Sequence, residues 1–203
     1  RINRAGDDAS GSSLSSKLTS DTRGLHMASR NSNDAISLIQ TAEGAMNEVN
    51  GLLQRMRELA VQSANGGTLT GSERVYIDQE FQLLESEINR IVNVTEFNGQ
   101  KLIDGNMSSG VNFQVGMNNT VNDRIILSVA DSDSTALGLN DDVLTSQTGA
   151  QAAINALDTA IQSVATSRGT LGTTQNRLTV TLTNLANMHE NLSAANSRIK
   201  DVD

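Results

Sequence analysis

The sequence predicts a mainly α fold: an elongated antiparallel helical bundle of two very long helices plus a shorter third helix, with a small β-hairpin. Apolar residues recur with heptad spacing along two distant stretches of the 203-residue chain. The chain contains no proline, so no residue forces a long helix to kink or stop. Because only four residues are aromatic, we expect a thin, aliphatic core.

The first long helix is predicted from about Gly11 to Ala64. Alternating steps of three and four residues from Leu25 reach twelve positions, of which only two are polar. A period of about 3.5 residues held over this length is typical of the seam of a supercoiled helix. A flanking apolar row widens the stripe enough for more than one partner helix. The seam comprises Leu25, Ala28, Ser32, Ala35, Ile39, Ala42, Met46, Val49, Leu53, Met56, Ala60 and Ser63, and the flanking row comprises Leu38, Ala45, Leu52 and Leu59.

A third, shorter helix of about 22 residues is predicted after the turn-forming run Asn65-Gly66-Gly67. The residues from Thr70 to Glu73 supply capping side chains for its start. After so short a turn, we expect this helix to lie antiparallel on the second half of the first helix. Its apolar seam consists of Ile77, Phe81, Leu84, Ile88 and Ile91.

From Asn98-Gly99 onward the pattern changes to short β-type segments. Two of them, Val111 to Val115 and Arg124 to Val129, flank a turn-forming run and are interpreted as a β-hairpin. An isolated hairpin is only marginally stable in water, so we expect it to lie against the helices. The polar stretch from Ala130 to Gly149 is predicted to be a mobile loop.

The last long helix is predicted from about Gln151 to Lys200. The same stepping from Ile154 to Ile199 reaches fourteen positions, ten of them apolar. Both long helices would be about 75 to 80 Å long at about 1.5 Å per residue, and matched lengths favour side-by-side, antiparallel pairing. Four of the seam residues are polar. Arg168, Gln175 and Asn196 are predicted to fix the register of the two helices, and His189 is predicted to pack at the seam with a local hydrogen bond.

Composition excludes several classes of function. A net charge of −8 and an isoelectric point near 4.7 oppose nucleic acid and anionic membranes as partners. The absence of cysteine excludes disulfides and thiolate metal sites. The two isolated histidines, His26 and His189, make no metal site, and the pairs Asp7-Asp8 and Asp141-Asp142 lack the spacing of a calcium loop. No catalytic motif is visible, so we expect neither an enzyme nor a cofactor.

Several blocks of sequence, in order, resemble bacterial flagellin. They are RINRAGDDASG (1–11), QTAEGAMNEVNGLLQRMRELAVQSAN (40–65), TEFNGQKLIDG (95–105), FQVG (113–116), LGTTQNRL (171–178) and NLSAANSRIKDVD (191–203). The resemblance implies a single core domain over 1–203, built from the N-terminal helices (1–97), a hairpin and loop (98–149) and a C-terminal helix (150–203). It also implies that the family's terminal helices and large outer domains are absent from this sequence.

The same resemblance implies a structural subunit of the flagellar filament, whose partners are other flagellin subunits and an export chaperone that acts through the missing tails. The location would be the extracellular flagellum, reached without a cleaved signal peptide. The alternative is a secreted adhesin or binding module that uses the same helices.

One block carries a further implication, because Gln54 to Leu59 resembles the flagellin segment that the innate immune Toll-like receptor 5 contacts. Taken alone, the segment would be interpreted as a solvated helix face with charges in helical register. We expect the patch to combine a planar charged donor, Arg55, with an apolar anchor, Leu59. The resemblance implies receptor contacts at Gln54, Arg55, Glu58, Leu59, Gln62 and Glu80.

Overall fold

The computed structural model describes residues 8–140 and 142–200. The interpretations of Asp7, Asp141 and the outermost parts of the terminal blocks therefore lie outside the described residues. The elements in chain order are α1 (Ala9–Ser63), α2 (Gly71–Val94), β1 (Glu96–Phe97), β2 (Gln100–Lys101), β3 (Val111–Gln114), a 3-10 turn (Val121–Asp123), β4 (Arg124–Leu127) and α3 (Gln147–Lys200). The mainly α prediction is confirmed. None of the described helices has a stretch long and apolar enough to span a membrane.

The chain divides into two compact units. Unit 1 comprises Arg1–Ser37, Asn112–Ile126 and Thr173–Asp203, and unit 2 comprises Leu38–Val111 and Leu127–Gly172. Each unit thus contains part of α1 and part of α3. The single domain over 1–203 stays a prediction.

The heptad seam of α1 is buried as the sequence predicts. All twelve positions from Leu25 to Ser63 are buried. The hydroxyl groups of the two polar residues keep a hydrogen-bond partner in the core. The Ser32 hydroxyl donates to the carbonyl of Ala28 at 2.8 Å, and the Ser63 hydroxyl donates to the carbonyl of Leu144 at 2.5 Å. A serine that bonds to a nearby carbonyl can occupy an apolar seam at little cost.

In α3 the seam is buried at every seventh residue. Leu157, Val164, Leu171, Leu178 and Leu185 are buried, whereas the four polar seam residues are only half-buried. The polar side chains therefore lie at the edges of the helix contact rather than at its centre.

In unit 1, α1 and α3 are antiparallel neighbours. Leu25 and Ala28 of α1 form a buried cluster with Leu185 of α3. Closer to the start of α1, Ser15 donates to the Asn196 side-chain oxygen at 2.7 Å, and the Asn196 amide donates to Thr19 at 3.1 Å. Asn196 thus bonds to two residues one turn apart on α1, which supports its predicted role in register.

In unit 2 the two long helices are again antiparallel. Arg57 of α1 pairs with Asp158 of α3 at 2.6 Å, and Arg168 lies 4.0 Å from Glu43. The Nε atom of Arg168 is buried without a hydrogen-bond acceptor. The contact of Arg168 therefore constrains the register of α1 and α3 less than the hydrogen bonds of Asn196 do.

The helix α2 packs antiparallel on the second half of α1, as predicted. Arg74 donates to the carbonyls of Ser63 and Asn65 at 2.9 and 2.7 Å. Further along, Glu80 of α2 reaches back to Arg55 of α1. The buried face of α2 consists of Ile77, Phe81, Ile88 and Val92, so Val92 replaces the predicted Ile91 at the end of the seam.

The segment predicted to be a mobile loop is packed on α2 instead. The backbone N–H of Ser134 donates to the Asn89 side chain at 2.9 Å, and that of Leu144 donates to Asp78 at 2.6 Å. Leu137, Leu139 and Leu144 are buried. The expectation of a mobile loop is therefore wrong, because these three leucines and their hydrogen bonds hold the irregular backbone in place.

Two short sheets complete the fold. The strands β3 and β4 pair in the predicted hairpin, slightly shorter than expected. The second pair, β1 with β2, was not expected from the sequence, and in it Phe97 lies opposite Gln100. Asn98 and Gly99 connect these two strands with φ angles of 51° and 77°. Positive φ at both positions is typical of a type I′ turn, for which Asn-Gly is the preferred sequence.

Candidate functional site

The six residues of the expected receptor site lie on α1 and α2 within unit 2. We call this set, Gln54, Arg55, Glu58, Leu59, Gln62 and Glu80, the Arg55 patch. Five of the six residues are on α1, where spacings of three and four bring side chains to one face. Glu80 joins them because α2 packs antiparallel on α1.

Arg55 is the centre of the Arg55 patch. Its Nε and Nη2 atoms donate to one oxygen of Glu80, at 3.1 and 2.8 Å. Its Nη1 atom donates to Glu58 at 2.9 Å. A single guanidinium thus links a carboxylate one turn away on its own helix to a carboxylate on the neighbouring helix.

The hydrogen bond with Glu80, followed by that with Glu58, raises the pKa of Arg55 above its ordinary value. The side chains of Arg55, Glu80 and Glu58 are 50%, 48% and 68% exposed. Exposed ion pairs contribute little to stability because water and salt screen them. The trio therefore fixes the orientation of three charged groups at the surface more than it stabilises the fold.

Leu59 does not have the exposure that the sequence analysis expects. It is 1% exposed and lies in the core of unit 2, whereas Gln54 and Gln62 are exposed. The interpretation of Leu59 as an apolar surface anchor is therefore wrong. Leu38 and Leu59 of the flanking row are buried, whereas Ala45 and Leu52 are only half-buried. A buried side chain presents no area to a partner.

Exposed apolar side chains occur nearby on α2. Tyr76 and Leu83 are each 71% exposed, and they share one face of α2 with Glu80 and Glu87. We call Tyr76, Glu80, Leu83 and Glu87 the α2 outer face. Of these four residues, only Glu80 was expected from the sequence to make a contact. Their position off the Ile77 seam was the available signal, since large apolar residues clustered at a surface mark interaction sites.

A second ion pair borders the α2 outer face. Arg90 contacts both carboxylate oxygens of Glu87, at 2.7 and 2.6 Å. The hydrogen bond with Arg90 lowers the pKa of Glu87. Arg90 pairs with a glutamate on its own helix, whereas Arg55 links α1 to α2. Both are arginine–glutamate pairs, but only the pair of Arg55 with Glu80 joins two helices.

The chemistry of these surfaces is that of binding. Within residues 8–140 and 142–200, no group of three or more histidine, cysteine, aspartate or glutamate residues could hold a metal ion. The Arg55 patch and the α2 outer face offer fixed charges and apolar area. These groups suit contact with another protein surface.

Comparisons with known proteins agree with the architecture. Two profiles match the chain: the bacterial flagellin N-terminal helical region at residues 1–108, and the bacterial flagellin C-terminal helical region at residues 154–203. A flagellin of Halalkalibacterium halodurans is 49% identical over 203 residues, which cover 100% of this chain and 74% of that protein. The flagellar filament 33 kDa core protein of Treponema phagedenis is 40% identical, with 100% and 75% covered.

A solved structure gives the same result. The crystal structure of Bacillus cereus flagellin is similar with a TM-score of 0.67 and 32% sequence identity, over 77% of this chain and 88% of that chain. The first profile covers all of α1 and more than half of the sequence, and the second covers most of α3. The chain belongs to the bacterial flagellin family.

Proposed function

We propose that the chain is a structural subunit of the extracellular flagellar filament and that its partners there are further copies of the same subunit. Membership of the flagellin family supports this function. The observation on this chain that carries it is the α2 outer face, where two large apolar side chains are 71% exposed. Such side chains are costly in a protein that stays alone in water, and burial between copies removes that cost.

Filament formation requires contacts between different surfaces of the subunit. Contacts of this heterologous kind repeat without closing and so generate an open helical assembly. Family membership gives no support to the adhesin alternative. The export chaperone stays a prediction, and we assign the chain no catalytic role.

Filament imaging tests the proposal. The full-length subunit would be expressed in a bacterial strain that lacks its own flagellin, and the cells examined by electron microscopy and for swimming. We expect filaments and restored motility. Secreted subunits that stay monomeric under every condition of assembly would contradict the proposal.

A second function is favoured by the exposure of the Arg55–Glu80 pair. We infer that the Arg55 patch is recognised by Toll-like receptor 5, as its resemblance to the flagellin segment implies. An arginine held in one orientation by two carboxylates loses little freedom on binding, and arginine is frequent among residues that dominate binding energy. Leu59 would act here only by supporting the backbone beneath Arg55.

A reporter assay for receptor signalling tests this inference. We expect Arg55→Ala and Glu80→Ala each to reduce the potency of the subunit by about tenfold or more, the loss typical of a dominant contact. Arg90→Ala and Glu87→Ala are matched controls, since they remove an exposed Arg–Glu pair from α2, the helix that carries Glu80. Full potency of Arg55→Ala with unchanged helical content would show that the receptor site lies elsewhere.

A further inference from the structure

Charge is distributed unevenly between the two units. Unit 2 contains fifteen acidic and six basic residues, a formal net charge of −9. Unit 1 contains eight acidic and nine basic residues, a formal net charge of +1, and the two values add to the −8 of the whole chain. A near-neutral unit and a strongly acidic unit attract each other more than two acidic units do, so copies should prefer unlike contacts.

Unit 1 has a groove that matches this preference. It has a volume of about 590 Å³ and lies between α3 and the β3–β4 hairpin. Arg124 and Arg177 line it together with one acid, Asp123, which accepts a hydrogen bond from Thr120. Neither arginine has an acidic partner among the described residues. The groove thus presents uncompensated positive charge.

The groove also has apolar walls. Its apolar lining includes Leu25, Leu185 and Met188, which pack together, and Met117 and Val180, which are 38% and 71% exposed. The volume lies within the roughly 300–1,000 Å³ of typical ligand sites, which is enough for a few side chains but not for a whole domain. A suitable occupant is therefore a narrow ridge with both apolar and acidic side chains.

The α2 outer face is such a ridge. Tyr76 and Leu83 are apolar. Glu80 and Glu87 are acidic but paired with Arg55 and Arg90, so the excess negative charge comes from α2 as a whole, which has five acidic and two basic residues. We propose that the unit 1 groove of one copy receives the α2 outer face of a second copy. The inference rests on the proposed filament function and deepens it, because it names the two surfaces that meet.

Cysteine cross-linking tests this contact directly, because the chain has no native cysteine. Subunits with Val180→Cys in the groove are mixed with differently tagged subunits with Leu83→Cys on α2, under assembly conditions and mild oxidation. We expect the mixed disulfide to exceed that of a control mixture about tenfold, because docking raises the effective concentration of the two thiols. The control replaces Val180→Cys with Leu14→Cys, which is exposed on unit 1 outside the groove.

A charge variant adds a second measurement. At low salt we expect Arg177→Glu to lower the yield of the mixed disulfide about fivefold, and Arg177→Lys to retain most of it. Arg198→Glu makes the same change of charge on unit 1 away from the groove, and we expect little loss. For the pair of subunits that keeps Arg177, added salt should reduce the yield of the mixed disulfide, because salt screens the attraction between the two surfaces.

The outcomes separate this inference from the filament function. Filaments without an excess of the Val180→Cys/Leu83→Cys product would overturn the inference and leave the filament function standing. A dominant product between two Val180→Cys copies would also overturn it, since the groove would then face itself. The mixed product without filaments would support the contact and contradict the filament function, and the absence of both would overturn both.

Discussion

The leucines of unit 2 differ in role although their sequence surroundings look similar. Leu59 on α1 follows Glu58 and Leu83 on α2 follows Gln82, each in an amphipathic helix, yet Leu59 is 1% exposed and Leu83 is 71% exposed. Burial of a leucine side chain contributes about 1.5 to 3 kcal/mol, so the first stabilises the fold. The second leaves the same apolar area available to a partner.

Truncation of these two leucines should therefore affect the free energy of unfolding to very different extents. We expect Leu59→Ala to lower the free energy of unfolding by about 2 to 5 kcal/mol, the range for a cavity in a packed core. Leu83→Ala should change it by less than about 0.5 kcal/mol, as for other surface positions. Urea denaturation followed by circular dichroism measures both. A Leu59→Ala variant as stable as Leu83→Ala would show that Leu59 is accessible after all.

Residue by residue, burial was easier to predict than pairing. The α1 seam follows from spacing alone, since heptad positions must face the same side of a helix. The Arg55–Glu80 pair joins residues 25 apart in sequence, and it depends on how far α2 slides along α1. No period in the sequence encodes that offset. The resemblance to flagellin could therefore suggest the members of the Arg55 patch, but the spacing could not give their hydrogen bonds.

Among the elements, α2 has the most clearly defined start. Thr70 accepts a hydrogen bond from the backbone N–H of Glu73, and Glu73 accepts one from the backbone N–H of Thr70, which together form a capping box. We expect Thr70→Ala to destabilise the protein by about 1 kcal/mol, within the range of about 0.5 to 2 for a lost cap. Thr68→Ala, three residues from the helix start and exposed, is the control. Equal unfolding midpoints in urea for the two variants would contradict the role of the box.

The turn between β1 and β2 allows a test that depends on the sign of the effect. An added Cβ meets no atom within 4 Å at either Gly99 or Gly44, but Gly99 has a φ of +77° and Gly44 lies within α1. We expect Gly99→Ala to destabilise by about 1 kcal/mol, the cost of a side chain at positive φ. Gly44→Ala should stabilise by about 0.4 to 1 kcal/mol, because alanine favours the helix. Thermal unfolding measures both, and shifts of the same sign would contradict the assigned backbone conformations.

The elements that the sequence did not predict are those without a period. The strands β1 and β2 have two residues each, too few for an alternating pattern, and only Asn98-Gly99 signalled the turn. The segment from Ala130 to Ser146 is polar in composition, but it buries three leucines and bonds to α2 through irregular backbone. Its packing depends on side-chain acceptors on α2, Asn89 and Asp78, which are far away in sequence.

On the scale of the whole chain, acidic residues act in two opposing ways. The excess of acids in unit 2 repels itself at neutral pH and disfavours the compact state. Individual carboxylates oppose this effect where they accept hydrogen bonds. The pKa of Asp158 is lowered from its ordinary value of 3.8 by the hydrogen bond with Arg57. The pKa of Glu73 is lowered from 4.5, first by the backbone N–H of Thr70 and then by its hydroxyl.

The two effects can be separated by their dependence on pH. A carboxyl group whose pKa is lower in the folded protein stabilises it above the unfolded pKa, and this contribution is lost as the pH falls through the folded pKa. We therefore expect wild type to be more stable than Asp158→Asn at about pH 6, and the gap between them to close as the pH falls toward about 3. Urea midpoints measured along the pH range give the gap.

Glu48→Gln removes one exposed charge of unit 2 that belongs to no ion pair among the described residues, and so controls for relief of repulsion alone. If the gap for Asp158→Asn stayed constant down to about pH 3, the Arg57–Asp158 pair would not link α1 to α3 in solution, because a working pair must weaken once its carboxylate takes up a proton.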